Sequence, residues 1–383
     1  MSAPHLPPPL ADVRVLDLAS VVAGPGCARY LADFGATVLK VERPGGDTTR
    51  GMRTDEPPGQ DDSFFWKLVG RNKACVVLDL KDDDDRATLL RLVDGAHVVV
   101  ENLRPGGMEK LGLGPDVLLG RNPSLVLTRV TGFGQDGPYA NRPGFATLAE
   151  AMSGFAALNG EPDGGPLLPP IALTDEVTAL AAAFATLAAL RSGVGQVVDV
   201  NLLESLLQLM GPLPAAYAAT GYQQPRLGSG IAYTVPRGTW RCADGRWVAV
   251  STSAESVARR VLDLVGLGDD PSLQSFAGRA AARDRIDAVM ADWIGARTAA
   301  EVLDAFERAE AAAAPVHDMA DIAADPHLRA RGALVELDGV VQQGLVAHLS
   351  RTPGRLRHAG RALGADQDVL AEPDPWAALE ARP

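Results

Sequence analysis

The sequence predicts an α/β fold, and two observations carry that expectation. Short β-branched runs recur along the first third of the chain: VRVLDL (13–18), TVLKVE (37–42), CVVLDL (75–80), HVVV (97–100) and LVLTRV (125–130). Helical stretches separate them, the pattern of a parallel sheet covered on both faces. The first run also leads straight into a Gly-Pro-Gly turn, an amphipathic segment and a second strand ending in Glu42 and Arg43, which is the order of a βαβ unit. With 383 residues the chain exceeds what one core usually serves, so two domains are expected.

The elements follow in order. A helix is expected near 26–34, and a second near 83–93, where DDDD (82–85) complements the positive end of the helix dipole. FATLAEAMSGFAAL (145–158) has helical periodicity. After the loop NGEPDGGPLLPP (159–170), an Ala-rich helix runs from about 173 to Arg191, followed by the strand QVVDVNL (196–202) and the apolar segment 203–210. Residues 211–238 are rich in Pro, Gly and Tyr and lack a period. A second domain opens at GTWRCADGRWVAVSTS (238–253), where Ala-Asp-Gly between two strand-like runs signals a hairpin. Helices near 254–265, 283–296 and 299–310 come next, then strands within 333–350. No internal repeat is present.

Composition narrows the function. A formal charge of −12 argues against binding nucleic acid or anionic membranes with the whole surface, yet leaves room for a local basic pocket. Three scattered cysteines, Cys27, Cys75 and Cys242, suggest neither a disulfide framework nor a zinc site, and fit a reduced cytoplasm. The segment MSAPHLPPPLADVR lacks the basic and apolar regions of a signal peptide. VTALAAAFATLAAL (177–190) is too short to span a bilayer and suits a buried helix.

The turn in AGPGCARYLADFGATVLKVER (23–43) has three readings: a nicotinamide site, another nucleotide site, or a packing unit. A dinucleotide fingerprint needs three small residues, and here the spacing gives Gly24, Gly26 and then Arg29. Pro25 also removes an N–H where a pyrophosphate would need one. Arg43, at the carboxyl end of a strand, suits phosphate binding or stacking on a purine.

Four further segments come in order: LKVERPGGDTTRG (39–51), NKACVVLDLK (72–81), VENLRPGGMEKLGL (100–113) and TRVTGFGQDGPYANRPG (128–144). With the opening unit, this series resembles the class III CoA-transferases, the formyl-CoA transferase type, whose relatives include the L-carnitine dehydratase/bile-acid-inducible type and alpha-methylacyl-CoA racemase. The resemblance runs from about Leu10 to about Ala371. It implies coenzyme A, carried in as acyl-CoA, and no metal. The adenine end would lie near Ser20, Val21, Val22 and Ala23, with Arg43 beside the adenine and ribose phosphate. Leu78, Asp79, Leu80 and Lys81 would supply backbone contacts and a lysine for phosphate. Asn102, Leu103 and Arg104 would line the pantetheine path, and Lys110 stands where relatives usually carry arginine. Thr131 replaces a lysine of formyl-CoA transferase-like members.

Asp175 sits at the start of the Ala-rich helix. Alone it reads as an N-terminal helix acid or as a carboxylate nucleophile. The resemblance makes it the nucleophile: an aspartyl anhydride would form, then an aspartyl–CoA thioester, and an acceptor carboxylate would reverse the sequence. Gly228, Ser229 and Gly230 would be the remnant of the family's glycine-rich loop, with amides for the oxyanion, and Phe145 would line the substrate side. Glu176 points about 100° away on a helix and takes no catalytic role.

Two alternatives remain. A racemase needs the His of a Gly-His-Asp motif, but here that place reads Gly144-Phe145-Ala146, and phenylalanine cannot transfer a proton. A CoA-binding protein without turnover would have no use for Asp175. By resemblance, the fold is a Rossmann-like large domain (1–210, completed by 331–383) and a smaller α+β domain (226–325). A linker (211–225) and a return segment (from 326) join them in an interlaced, ring-like homodimer. The expected partners are acyl-CoA and carboxylic acids, with no nucleic acid and no membrane. Phe145, Tyr217, Tyr222, Tyr233 and Trp240 suggest an apolar or aromatic acid.

Overall fold

The computed structural model describes residues 6–382. The chain divides into two units. The first runs to Ser153 and also takes in Pro169–Met210 and the chain from Pro326 onward; the second comprises Gly154–Leu168 and Gly211–Asp325.

The first unit is built on six parallel strands: β1 (Arg14–Asp17), β2 (Thr37–Glu42), β3 (Lys73–Val77), β4 (Val98–Glu101), β5 (Val126–Thr131) and β6 (Gln196–Asn201). Their order is β3-β2-β1-β4-β5-β6. Strand order therefore reverses between β1 and β4, which opens a crevice at the carboxyl ends of the strands. Successive side chains point to opposite faces, and both faces are apolar. Val15, Val38, Val98, Val100 and Val126 pack on one side with helix α1 (Ala23–Asp33) and the helix Leu173–Ser192. Leu16, Leu39, Val76, Val99 and Leu127 pack on the other, with Leu89 and Leu92 of the helix Asp83–Asp94 and Trp376 from the C-terminal portion. Leu16, Leu39 and Leu127 are fully buried, each worth about 1.5–3 kcal/mol of transfer free energy.

Two glycines let α1 approach its neighbours. A methyl group at Gly24 would stand 2.4 Å from the Ala19 Cβ, and one at Gly26 would stand 2.8 Å from the Ala179 Cβ on the Leu173–Ser192 helix. The first turn of α1 is thus wedged between the β1 end and that helix. The same helix is the one element long and apolar enough to cross a membrane among the described residues. It buries Ala179, Ala182, Ala183 and Thr186 and leaves Leu180, Phe184 and Leu187 exposed. Gly193, at φ +70°, ends it.

Several expected elements differ in detail. The helical period of 145–158 is broken into Ala146–Met152 and Phe155–Leu158, because Gly154 adopts φ +92°. The aperiodic stretch after Met210 contains a helix, Leu213–Thr220, with Pro in its first turn. In the second unit, β7 (Gly238–Arg241), β8 (Trp247–Val250) and β9 (Ala313–Pro315) form an antiparallel sheet. Trp240, Val248, Ile286, Met290, Val302 and Phe306 fill its core. The strands β10 (Leu334–Leu337) and β11 (Val340–Gln343) pair as an antiparallel hairpin in the first unit.

Candidate active site

Charged residues inside three apolar strands position the β1–α1 connection. Asp17, Lys40 and Lys73, from β1, β2 and β3, are essentially unexposed. The Lys73 ammonium donates to Asp17 Oδ2 (2.7 Å) and to the Pro25 carbonyl (2.7 Å). The Lys40 ammonium lies 3.3 Å from Asp47 Oδ2 and 3.6 Å from Asp17 Oδ1, and donates to the Ala19 carbonyl. Burial pushes the Lys73 ammonium below its ordinary range. Burial opposes the Lys40 charge too, but Asp17, Asp47 and Glu42 outweigh it and hold its pKa raised. Such charges are tolerated in a dry interior only because they are paired.

This network fixes the turn after β1. Asp17 Oδ1 accepts from the Ala19 amide (3.1 Å). Asn102 bridges Ser20, accepting from its amide (2.8 Å) and donating to its carbonyl (2.7 Å). Asp47 Oδ1 accepts from the Val21 amide (3.3 Å), while Val21 is held at φ +68°. A β-branched residue in that region is strained, so its surroundings must impose the conformation.

Above the turn lies a crevice of about 330 Å³. Of the expected coenzyme A residues, Ser20, Arg43, Leu78, Asp79, Leu80, Lys81, Asn102 and Leu103 line it. Val22 and Ala23 are buried at the start of α1, Val21 is half-buried behind the turn, and Arg104 and Lys110 are exposed beyond the lining. Arg43 donates only to neutral oxygens, the Gly46 carbonyl (3.2 Å) and the Thr48 hydroxyl (3.5 Å). Neither Arg43 nor Lys81 has a carboxylate within ion-pair distance among the described residues. The crevice is also lined by Asp79 and by Glu42 and Asp47, which pair with Arg50 and Lys40; Arg43 and Lys81, without ion pairs among the described residues, suit an anionic ligand there.

Asp175 lies in the first turn of the helix Leu173–Ser192, one turn before Ala179 on the same face. Gly26 contacts that face, while Gly24 of the same turn packs against Asn102. The helix begins at Ala172 without a side-chain cap, so Asp175 is not spent on capping. Its half-buried carboxylate accepts no hydrogen bond among the described residues. Burial, then the charges of Glu150 and Glu176, raise its pKa to about 6. Glu176 is turned aside and held by Arg29 (2.9 Å) and the Tyr30 hydroxyl (2.8 Å). Glu150 is buried and accepts from the Thr174 hydroxyl (2.8 Å).

Phe145 is exposed at the start of the helix Ala146–Met152. Gly228, Ser229 and Gly230 belong to the second unit. There the Gly228 amide donates to the Gly160 carbonyl (3.0 Å) and the Gly230 amide to the Leu227 carbonyl (2.8 Å). The Ser229 hydroxyl accepts from the Thr239 amide (2.9 Å). Thr131 shapes its own loop by accepting from the Gly134 amide (2.9 Å). Trp240 is a core residue, whereas Tyr217, Tyr222 and Tyr233 are exposed. Sequence reasoning missed Asp17, Lys40 and Glu150. The available signal was a charge inside each apolar run: Asp in VRVLDL, Lys in TVLKVE and Glu in FATLAEAM.

Comparison with known proteins bears on this site. The profile of CoA-transferase family III matches residues 10–367. The chain is similar to the succinyl-CoA–L-malate CoA-transferase beta subunit of Chloroflexus aurantiacus, with 38% identity over 381 residues, 95% of this chain and 94% of that one. It is 36% identical to the succinyl-CoA–D-citramalate CoA-transferase of the same organism, over 95% and 93% of the two chains. The crystal structure of a CAIB/BAIF family protein from Brucella suis superposes with a TM-score of 0.85 at 28% identity, covering 98% of this chain and 100% of that one.

Proposed function

Because the chain belongs to CoA-transferase family III, and transfers CoA between an acyl-CoA and an acid as that family does, we propose that it does so through Asp175. The half-buried Asp175 carboxylate, without a hydrogen-bond donor among the described residues and with its pKa pushed up to about 6, carries this reading. Such a group is ionised at neutral pH but poorly solvated, so it is more nucleophilic than a surface aspartate.

Asp175 attacks the thioester carbonyl of the donor, the C–S bond breaks, and its electron pair leaves on the CoA sulfur. The thiolate then attacks the aspartyl carbonyl of the mixed anhydride and expels the donor acid. An aspartyl–CoA thioester remains, and the acceptor carboxylate reverses both steps. The adenosine end of CoA lies in the crevice between Arg43, Lys81 and the Ser20–Val21 turn, with Asn102 and Leu103 along the pantetheine arm. The relatives' names favour succinyl-CoA as donor and a short dicarboxylic acid as acceptor, rather than the apolar or aromatic acid that the aromatic residues suggested. The exposed Leu180, Phe184 and Leu187 form an apolar face that a second copy of the chain covers in a homodimer.

The test is a transfer assay with succinyl-CoA and a panel of dicarboxylic, aromatic and aliphatic acids, read by mass spectrometry. New acyl-CoA products, formed best with dicarboxylic acids, support the reading. Exchange of the proton next to the thioester with solvent deuterium, without CoA transfer, would support racemisation instead.

A further inference from the structure

Glu150 is a carboxylate that the reaction as outlined does not use. It sits on the helix Ala146–Met152 with 4% exposure. A buried acid costs free energy unless something holds it, and among the described residues the Glu150 carboxylate accepts from the Thr174 hydroxyl at 2.8 Å. Thr174, itself fully buried, is the immediate neighbour of Asp175. The Thr174–Glu150 bond therefore ties the helix turn that carries Asp175 to a second acid.

The groups around Asp175 make this pairing specific. Glu176, on the same helix, is paired with Arg29 and bonded by the Tyr30 hydroxyl of α1, and acts on Asp175 less than Glu150 does. Glu204, on the helix Leu202–Leu207, acts on Asp199 instead. Glu150 has no cation within ion-pair distance among the described residues, so its charge reaches Asp175 uncompensated, and it is the largest charge effect there.

We propose that Glu150 is a positioning residue that primes Asp175: its charge, held in place by Thr174, repels the free Asp175 carboxylate and is relieved when Asp175 becomes a neutral ester of CoA. The inference rests on Asp175 being the nucleophile. The charge balance is explicit. Free enzyme and acyl-CoA carry the negative charge on Asp175. After anhydride formation it sits on the CoA sulfur, and after the thiolate attack it leaves with the donor acid. Loading thus removes one charge from a buried pair of acids, and the repulsion drives loading forward.

The experiment loads the full-length enzyme with succinyl-CoA across a pH series and measures the Asp175–CoA adduct by intact-protein and peptide mass spectrometry. Glu150→Gln keeps an oxygen for Thr174 and removes the charge. It is expected to move the loading midpoint toward acid by about half a pH unit or more, and to lower the loaded fraction about threefold at neutral pH. Thr174→Val keeps the charge and frees it, and should slow loading with a smaller change of midpoint. A Glu150→Gln enzyme with the wild-type midpoint and loaded fraction overturns the inference while leaving the nucleophile intact. Failure of the wild type to load at Asp175 overturns both. Should Glu150→Gln not fold, 13C titration of Asp175 in the wild-type and Thr174→Val enzymes decides: the Asp175 midpoint must differ between them, and an unchanged midpoint contradicts the pairing.

Discussion

The amide of Val21 donates to the carboxylate of Asp47 at 3.3 Å while Val21 is held at φ +68°. The same carboxylate faces Lys40 at 3.3 Å and receives the amide (2.9 Å) and hydroxyl (2.8 Å) of Thr49. One buried acid thus links the strained turn after β1 to the loop after β2, and both line the crevice.

Asp47→Asn keeps the shape but leaves Lys40 with less compensating charge. It should destabilise the fold by about 3 kcal/mol or more, the usual cost of breaking a buried pair, and raise KM for acyl-CoA more than it lowers kcat. Chemical denaturation and steady-state kinetics check both. Val21→Gly removes the steric strain and is expected to leave stability unchanged or slightly improved.

Arg43 donates only to neutral oxygens, so removing it strands no buried acid. Arg43→Ala should leave the melting temperature within error and raise KM for acyl-CoA about tenfold, the size of one charge-assisted contact. Loading at saturating donor should persist, which steady-state and single-turnover kinetics distinguish.

Asp175 imposes a pH-dependent penalty on the fold. Its folded-state pKa is raised from 3.8 to about 6, so between those values the native state binds the proton that the unfolded chain has lost. Stability therefore falls as pH rises through that window. Asp175→Asn removes the penalty. It should be inactive, yet more stable than wild type by on the order of 2 kcal/mol above about pH 6. The gain should vanish below pH 4. Denaturation at a series of pH values measures it.

Gly26 tests the packing that brings the nucleophile helix to the crevice. Gly26→Ala places a methyl 2.8 Å from the Ala179 Cβ, and overpacking of this kind costs about 1–3 kcal/mol. Ala179→Gly should restore part of the loss, because it opens the space the new methyl needs. A double-mutant cycle of unfolding free energies reads the coupling.

The strands were legible because short, nearly continuous apolar runs separated by helical stretches signal a parallel sheet covered on both faces, and the crevice could be located because strand ends carried Arg43, Lys81 and Asn102. Less visible was what holds the crevice in shape. Lys40 and Asp17 sit within strands where a period of two counts them only as interruptions. Their partnership exists only through the β1–β2 register, which sets Asp17 opposite Lys40. Glu150 was hidden likewise, because its partner Thr174 is distant in sequence and close only once the two helices pack. The break at Gly154 escaped because periodicity continues through a residue whose positive φ ends the helix. The Leu213–Thr220 helix escaped because a largely exposed helix has no apolar stripe.

Covalent loading tests the central claim most directly. The wild-type enzyme, incubated with succinyl-CoA and quenched with hydroxylamine, is digested and mapped by mass spectrometry. The account predicts a hydroxamate on the peptide carrying Asp175, lost in Asp175→Asn and retained in Arg43→Ala at saturating donor. CoA bound to the enzyme with no modification at Asp175, or a modification at another acid, would contradict it.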